Sequence, residues 1–329
     1  MNQWPSWLPL RQNLQELSAY GAPQLPADAV MNTNENPYPP SAALAKAIAD
    51  RISEVALTLN RYPDRDALVL RDKLADFING LSRTKFGSAN VWAANGSNEI
   101  IQSLFMAFGG GTALGFTPSY SMHPLIAKVT QVQWLNGNRR EDFTLDIDSA
   151  IEQIQRDKPT LTFITTPNNP TGSAVTIEEI EKIAKSTSGL LIVDEAYAEF
   201  SDEISAVTLI EKYPHVVVIR TMSKAFAFAG VRLGYLVADP AVVDAMFLVR
   251  LPYHLSALTQ AAGEVALDFK DELLGTVAQL RTDRDRVAAQ LSQMGLSVIP
   301  SASNFLLFSG FKMPSAQLWQ AMLDRGVLI

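Results

Sequence analysis

The chain of 329 residues contains no cysteine. That absence excludes disulfides, thiolate catalysis and cysteine-ligated metals. Histidine is scarce as well: His123, His215 and His254 lie far apart, without the paired spacing that binds zinc. No apolar run reaches membrane-spanning length, and the N-terminal MNQWPSWLPL has neither a basic leader nor a continuous apolar core. No internal repeat or low-complexity segment occurs. Basic residues are outnumbered, 27 Lys and Arg against 34 Asp and Glu, for a formal charge of −7. This balance argues against nucleic acid or an anionic membrane as partner. What is present, 47% hydrophobic and 19% charged residues, suits a globular protein with a sizeable core. A soluble, cytoplasmic protein of one large domain or two linked ones is expected.

The chemistry concentrates in TMSKAFAFAGVRLGY, Thr221 to Tyr235, which follows the β-branched run Val216 to Ile219. Lys224 is flanked by Ser223 and the apolar Ala225–Ala229. Apolar surroundings weaken a lysine's preference for its charged form, freeing the amine to attack a carbonyl and form an imine. Thr221, Ser223 and Arg232 can together hold a phosphate through hydroxyl donors and a forked guanidinium. An imine-forming lysine beside a phosphate cradle is what pyridoxal phosphate requires. Taken alone, such a lysine and arginine are more often a surface residue and a structural ion pair. The remaining chain has to decide.

Residues 1–30 form an arm, with one short helix expected around Arg11–Ser18 and extended chain at Pro23 and Pro26. MNTNENPYPPS, Met31 to Ser41, reads as a polar loop, and Ser41 as the N-cap of the helix that follows. Tyr62 sits before a proline in the loop NRYPDRDA, presented rather than packed, ahead of a helix through Phe77. VWAANGSNEIIQSLFMAF gives a strand, a turn and a helix with Gly96, Ser97 and Asn98 at its N-terminus, where an anion is favoured. Tyr120 follows a proline turn. TLTFITTPNNPTG is a strand ending in a polar turn, and Thr176 and Glu179 form a capping box. LLIVD is an all-apolar strand ending at Asp194; such strands belong to parallel sheets covered on both faces, with ligands at their carboxyl ends. Asp194 alone could equally be a cap. Strands and helices alternate from Val91 to Asp239, so the class is α/β. Beyond Pro252 long amphipathic stretches run from Leu258 to Leu291, followed by LSVIP, SNFLLF and a helix over Ala316–Asp324.

Several strand ends thus offer parts for one cofactor. Lys224 supplies the imine and later the proton shuttle, while Asp194 keeps a pyridine nitrogen protonated. Asn169 and Tyr197 hydrogen-bond the ring's phenolic oxygen, and Tyr120 stacks on its face. Ser97, Asn98, Thr221, Ser223, Arg232 and Tyr62 share the phosphate.

The segments NNPTG (168–172), DEAY (194–197) and SKAFAFAGVRLGY (223–235) resemble the signature of fold-type I pyridoxal-phosphate-dependent aminotransferases, class II, in order and separation. TNENPYPP, NRYPD and LPYHLS most resemble the histidinol-phosphate aminotransferases, particularly actinobacterial ones. The resemblance runs from about residue 8 to Ile329. It implies a large α/β/α domain with a mostly parallel mixed sheet over 31–250. Residues 1–30 and 251–329 would form the arm and a smaller α+β domain. It also implies a homodimer with shared active sites, in which Tyr62 reaches the neighbouring subunit's phosphate. Tyr20, Asn34 and Glu35 would lie near the substrate. The implied reaction converts L-histidinol phosphate and 2-oxoglutarate to imidazole-acetol phosphate and L-glutamate, in a ping-pong cycle through pyridoxamine phosphate. Departures from the pattern are a short loop at Gly109–Gly111 and a chain that stops before a substrate-binding arginine. That arginine is expected in a segment following RGVLI (325–329). Alternatives are an aromatic aminotransferase or a lyase or decarboxylase on the same scaffold. A non-catalytic sensor module is disfavoured, since no extra basic DNA-binding segment is present.

Overall fold

The computed structural model describes residues 4–329, so the first three residues of the expected N-terminal arm lie outside the described residues. The helix expected near Arg11–Ser18 contracts to α1 (Gln12–Gln15), which has no side-chain cap and buries no residue. A single uncapped turn that buries nothing gains too little to grow, and its tie to the body is polar, Asn13 Nδ2 donating to the Lys128 carbonyl at 2.7 Å. β1 (Ala29–Val30) follows. α2 (Ala42–Ala56) begins where expected, with Ser41 Oγ accepting the Leu44 N–H at 3.1 Å. α3 (Leu68–Ser82) buries Leu70, Leu74 and Ile78, a stripe with four-residue spacing.

The central layer then builds by alternation. β2 (Val91–Ala94), α4 (Ser97–Phe108), β3 (Thr112–Thr117), α5 (Met122–Thr130), β4 (Gln133–Asn138) and α6 (Ile147–Asp157) come first. β5 (Leu161–Thr165), α7 (Ile177–Ser186), β6 (Leu190–Asp194), β7 (Val216–Thr221) and β8 (Gly234–Val237) complete it. Their spatial order is β2-β8-β7-β6-β5-β3-β4. Only β8 runs antiparallel to its neighbours, so the seven-stranded sheet is mixed but mostly parallel. Leu191, Val193, Val216 and Val218 enter one core, whereas Ile192, Val217 and Ile219 enter the other. A sheet covered on both faces needs apolar residues at every position, which is why β6 and β7 lack alternation. The capping box forms: Thr176 Oγ1 accepts the Glu179 N–H and Glu179 Oε2 accepts the Thr176 N–H.

The helical stretch after Pro252 is divided. α8 (Pro240–Val249) precedes α9 (Ala257–Asp268) and α10 (Lys270–Gln293), the last two separated at Phe269. α9 packs on α2 and α3. β9 (Ser297–Val298) and β10 (Phe308–Ser309) pair antiparallel. Of SNFLLF, only Phe308 is in a strand. Ser301 Oγ donates to the Phe305 carbonyl at 2.6 Å, and this local bonding holds the segment in a turn instead. After α11 (Ser315–Leu323), β11 (Val327–Leu328) pairs parallel with β1, tying the chain's end to residue 30. Among the described residues no helix is long and apolar enough to cross a membrane.

Candidate active site

Parallel register brings the carboxyl ends of β5, β6 and β7 to one rim: Thr165 pairs with Asp194, and Asp194 with Ile219. A cavity of about 310 Å³ opens above it. Lys224 enters from the loop after β7, half-buried, and its Nζ donates to the Thr33 carbonyl at 2.6 Å. Burial pushes the amine down to about 8, the Arg232 charge acts the same way, and Glu35 opposes both.

Asp194 ends β6 as a buried carboxylate, 2% exposed. Its Oδ1 accepts the Ala196 N–H at 3.2 Å, and its Oδ2 lies 3.0 Å from His123 Nε2. His123, on α5, escaped the sequence reading because an isolated histidine in a helix carries no spacing signal. Its ring meets Tyr120 edge-on at 5.4 Å and 89°. Tyr120 in turn donates to Asn98 Oδ1 at 3.1 Å, and burial raises its phenol well above the usual range. Tyr197 is buried on the loop beyond Asp194, and its oxygen accepts Nδ2 of both Asn169 and Asn34, each at 3.3 Å.

The other end of the cavity is built for an anion. Ser97 and Asn98 open α4, where free N–H groups and the helix dipole favour negative charge. Gly96 before them has φ of +86°, and a Cβ there would lie 2.6 Å from Arg232 Nη2, so only glycine lets the guanidinium approach. Arg232 Nη1 donates to Ser223 Oγ at 3.4 Å, and Thr221 Oγ1 donates to the same oxygen at 3.1 Å. A guanidinium, three hydroxyl side chains and a helix N-terminus therefore converge.

The structure thus gathers Ser97, Asn98, Tyr120, Asn169, Asp194, Tyr197, Thr221, Ser223, Lys224 and Arg232 around one cavity, together with Tyr20 and Asn34. Glu35 does not line it, although its charge reaches Lys224. Tyr62 is elsewhere in the single chain. It is 79% exposed, stacks on Tyr253 at 4.4 Å and lines a second cleft with Arg51 and Arg61. Thr33 was also missed, because its contribution is a backbone carbonyl that side-chain chemistry does not reveal.

Comparison with known proteins gives the family and the fold. The family described as aminotransferase class I and II matches residues 29–329. A histidinol-phosphate aminotransferase of Corynebacterium glutamicum strain R is 56% identical over 98% of this chain and 88% of its own. One from Mycolicibacterium smegmatis is 55% identical over 98% of this chain and 86% of its own. Among solved structures, histidinol-phosphate aminotransferase from Sinorhizobium meliloti, in complex with pyridoxal-5'-phosphate, superposes with a TM-score of 0.85. Its identity is 22%, over 98% of this chain and 88% of that one, a likeness of fold. An aspartate aminotransferase of Thermus thermophilus gives 0.79 at 19% identity, over 97% of this chain and 90% of its own. The chain belongs to the class I and II aminotransferases, in the family of the histidinol-phosphate aminotransferases.

Proposed function

We propose that this chain moves an amino group between L-histidinol phosphate and 2-oxoglutarate, giving imidazole-acetol phosphate and L-glutamate in histidine biosynthesis, with pyridoxal phosphate as cofactor. The relatives' names support histidinol phosphate as the amino donor. The observation that carries the chemistry is the cavity's polarity: an amine pushed down to about 8 at its centre, a buried carboxylate on one side and an anion cradle on the other. These residues fit an aldehyde-bearing pyridine with a phosphate arm. Ser97, Asn98, Thr221, Ser223 and Arg232 would hold the phosphate, Asp194 the ring nitrogen, and Asn169 and Tyr197 the ring oxygen. When bound, the cofactor supplies a carbonyl for the substrate amine and a ring that accepts negative charge from the substrate's α-carbon.

The chain's own side chains do the rest. Lys224 anchors the cofactor and then, with its amine released, takes and returns the α-carbon proton; an amine near 8 suits both directions at neutral pH. Asp194, oriented by His123 and the Ala196 N–H, fixes a negative charge where the ring nitrogen's proton is needed. Half-reactions in single turnover test the substrate. Histidinol phosphate should react faster than phenylalanine or tyrosine by roughly tenfold or more, the scale on which enzymes discriminate substrates by differential binding of their transition states. Equal or faster turnover of phenylalanine would overturn the substrate assignment.

We further propose a cytoplasmic homodimer whose sites are shared. Leu57, Leu248 and Leu251 are 86%, 86% and 76% exposed. Their two segments are joined by Arg250 Nη1 donating to the Arg65 carbonyl at 2.8 Å and by the Tyr62–Tyr253 stack. An apolar face of this kind suits a second copy. It would carry Tyr62 toward the partner's phosphate cradle.

A further inference from the structure

Tyr197 has a hydrogen-bond inventory that leaves its proton only one place to go. A phenol oxygen offers one donor and two acceptor positions. Asn169 Nδ2 and Asn34 Nδ2 both donate to it, at 3.3 Å each, and so take both acceptor positions. The ring is buried and lines the cavity, with Lys224 Nζ 5.9 Å from its centroid. No acceptor for the hydroxyl proton is present among the described residues, and the cavity that Tyr197 lines is open to it.

Asn34 is itself held in place. Its backbone adopts φ of +54°, a conformation that asparagine and aspartate tolerate better than other non-glycine residues. Its carbonyl accepts Asn304 Nδ2 at 3.0 Å, from the segment between β9 and β10. Phe305, next along that segment, packs edge-on against Tyr197 at 5.1 Å and 86°. The preceding residue, Thr33, accepts Lys224 Nζ. One short loop thus touches both the amine and the phenol, and the C-terminal segment braces it.

We propose that Asn34, anchored by Asn304, is a positioning residue that aims the Tyr197 hydroxyl into the cavity, where it donates to the ring oxygen of the bound cofactor. The inference rests on the pyridoxal phosphate reading above. A donor on that oxygen competes with the neighbouring protonated nitrogen for it. Losing the donor therefore favours the protonated nitrogen and raises the pH midpoint of the cofactor's visible absorbance change.

The test is a double-mutant cycle read by absorbance titration of the cofactor-loaded protein. Asn34→Asp keeps size and backbone preference but replaces a donor with an acceptor, so the phenol proton should turn away from the cavity. Tyr197→Phe and Asn34→Asp should each raise the midpoint, and the double variant should match Tyr197→Phe alone. Asn304→Ser should move the midpoint in the same direction by less, and serves if Asn34→Asp does not fold. An unchanged midpoint in both the Asn34 and Asn304 variants would overturn the proposal. So would a double variant showing the sum of the single shifts, which would mean the new charge acts without Tyr197. A wild-type protein that forms no visible band would instead remove the cofactor reading itself, and the inference with it.

Discussion

Lys224 combines the apolar enclosure of the loop after β7 with a carbonyl partner, Thr33, and a cation, Arg232. Desolvation and the neighbouring positive charge both favour the neutral amine, so its titration lies near 8 rather than at the ordinary lysine value of 10.5. Protein stripped of cofactor should capture pyridoxal phosphate faster as pH rises, with half the maximal rate constant near pH 8; stopped-flow absorbance checks this, and a midpoint near 10 would refute it. Asp194 acts through a fixed charge, so Asp194→Asn should fold normally while kcat falls by roughly 10²–10³, the scale of a lost preorganised electrostatic contact. Circular dichroism and steady-state kinetics separate the two outcomes. Lys224, Asp194 and Arg232 were legible in the sequence because their side chains carry unusual chemistry at strand ends. His123 was not, since its meaning comes from the 3.0 Å contact of its Nε2 with Asp194 Oδ2, a long-range contact between α5 and β6.

The elements around the site are held by devices that differ in visibility. Gly96 could be read only as part of a turn; its requirement comes from Arg232, 136 residues later, packing where a Cβ would stand. Gly96→Ala should therefore weaken cofactor binding, measured by equilibrium titration, with little change in kcat for the loaded protein. The ends of β6 and β7 are joined beneath the cavity by Arg220, which bonds Glu195 Oε2 at 2.7 Å and Glu199 Oε1 at 2.9 Å with all three side chains buried. Arg220→Ala would strand two carboxylates. Unfolding by denaturant should show a loss of roughly 3–5 kcal/mol. The capping box at Thr176 and the all-apolar β6 were evident in advance, because both are local patterns. The splitting of the long helical stretch at Phe269 and the loss of a strand in SNFLLF were not. Each depends on packing or side-chain bonding that periodicity does not encode.

At the scale of the whole molecule, the proposed dimer would cover the exposed Leu57, Leu248 and Leu251 and bring Tyr62 to the cavity of a second copy. Mixing inactive Tyr62→Ala and Lys224→Ala proteins, with subunit exchange allowed, should yield hybrid dimers in which one site is intact and activity rises above either parent. Activity that stays at the parental level would exclude a shared site. Every part of the proposed mechanism nevertheless turns on one bond, the covalent attachment at Lys224. Borohydride reduction of the yellow, cofactor-loaded protein followed by peptide mapping reads that bond directly. The pyridoxyl label should appear on the peptide containing Ser223 and Lys224, and the visible band should disappear as it forms. A label on any other lysine, or loss of the band without a label, would contradict the assignment of this cavity as the active site.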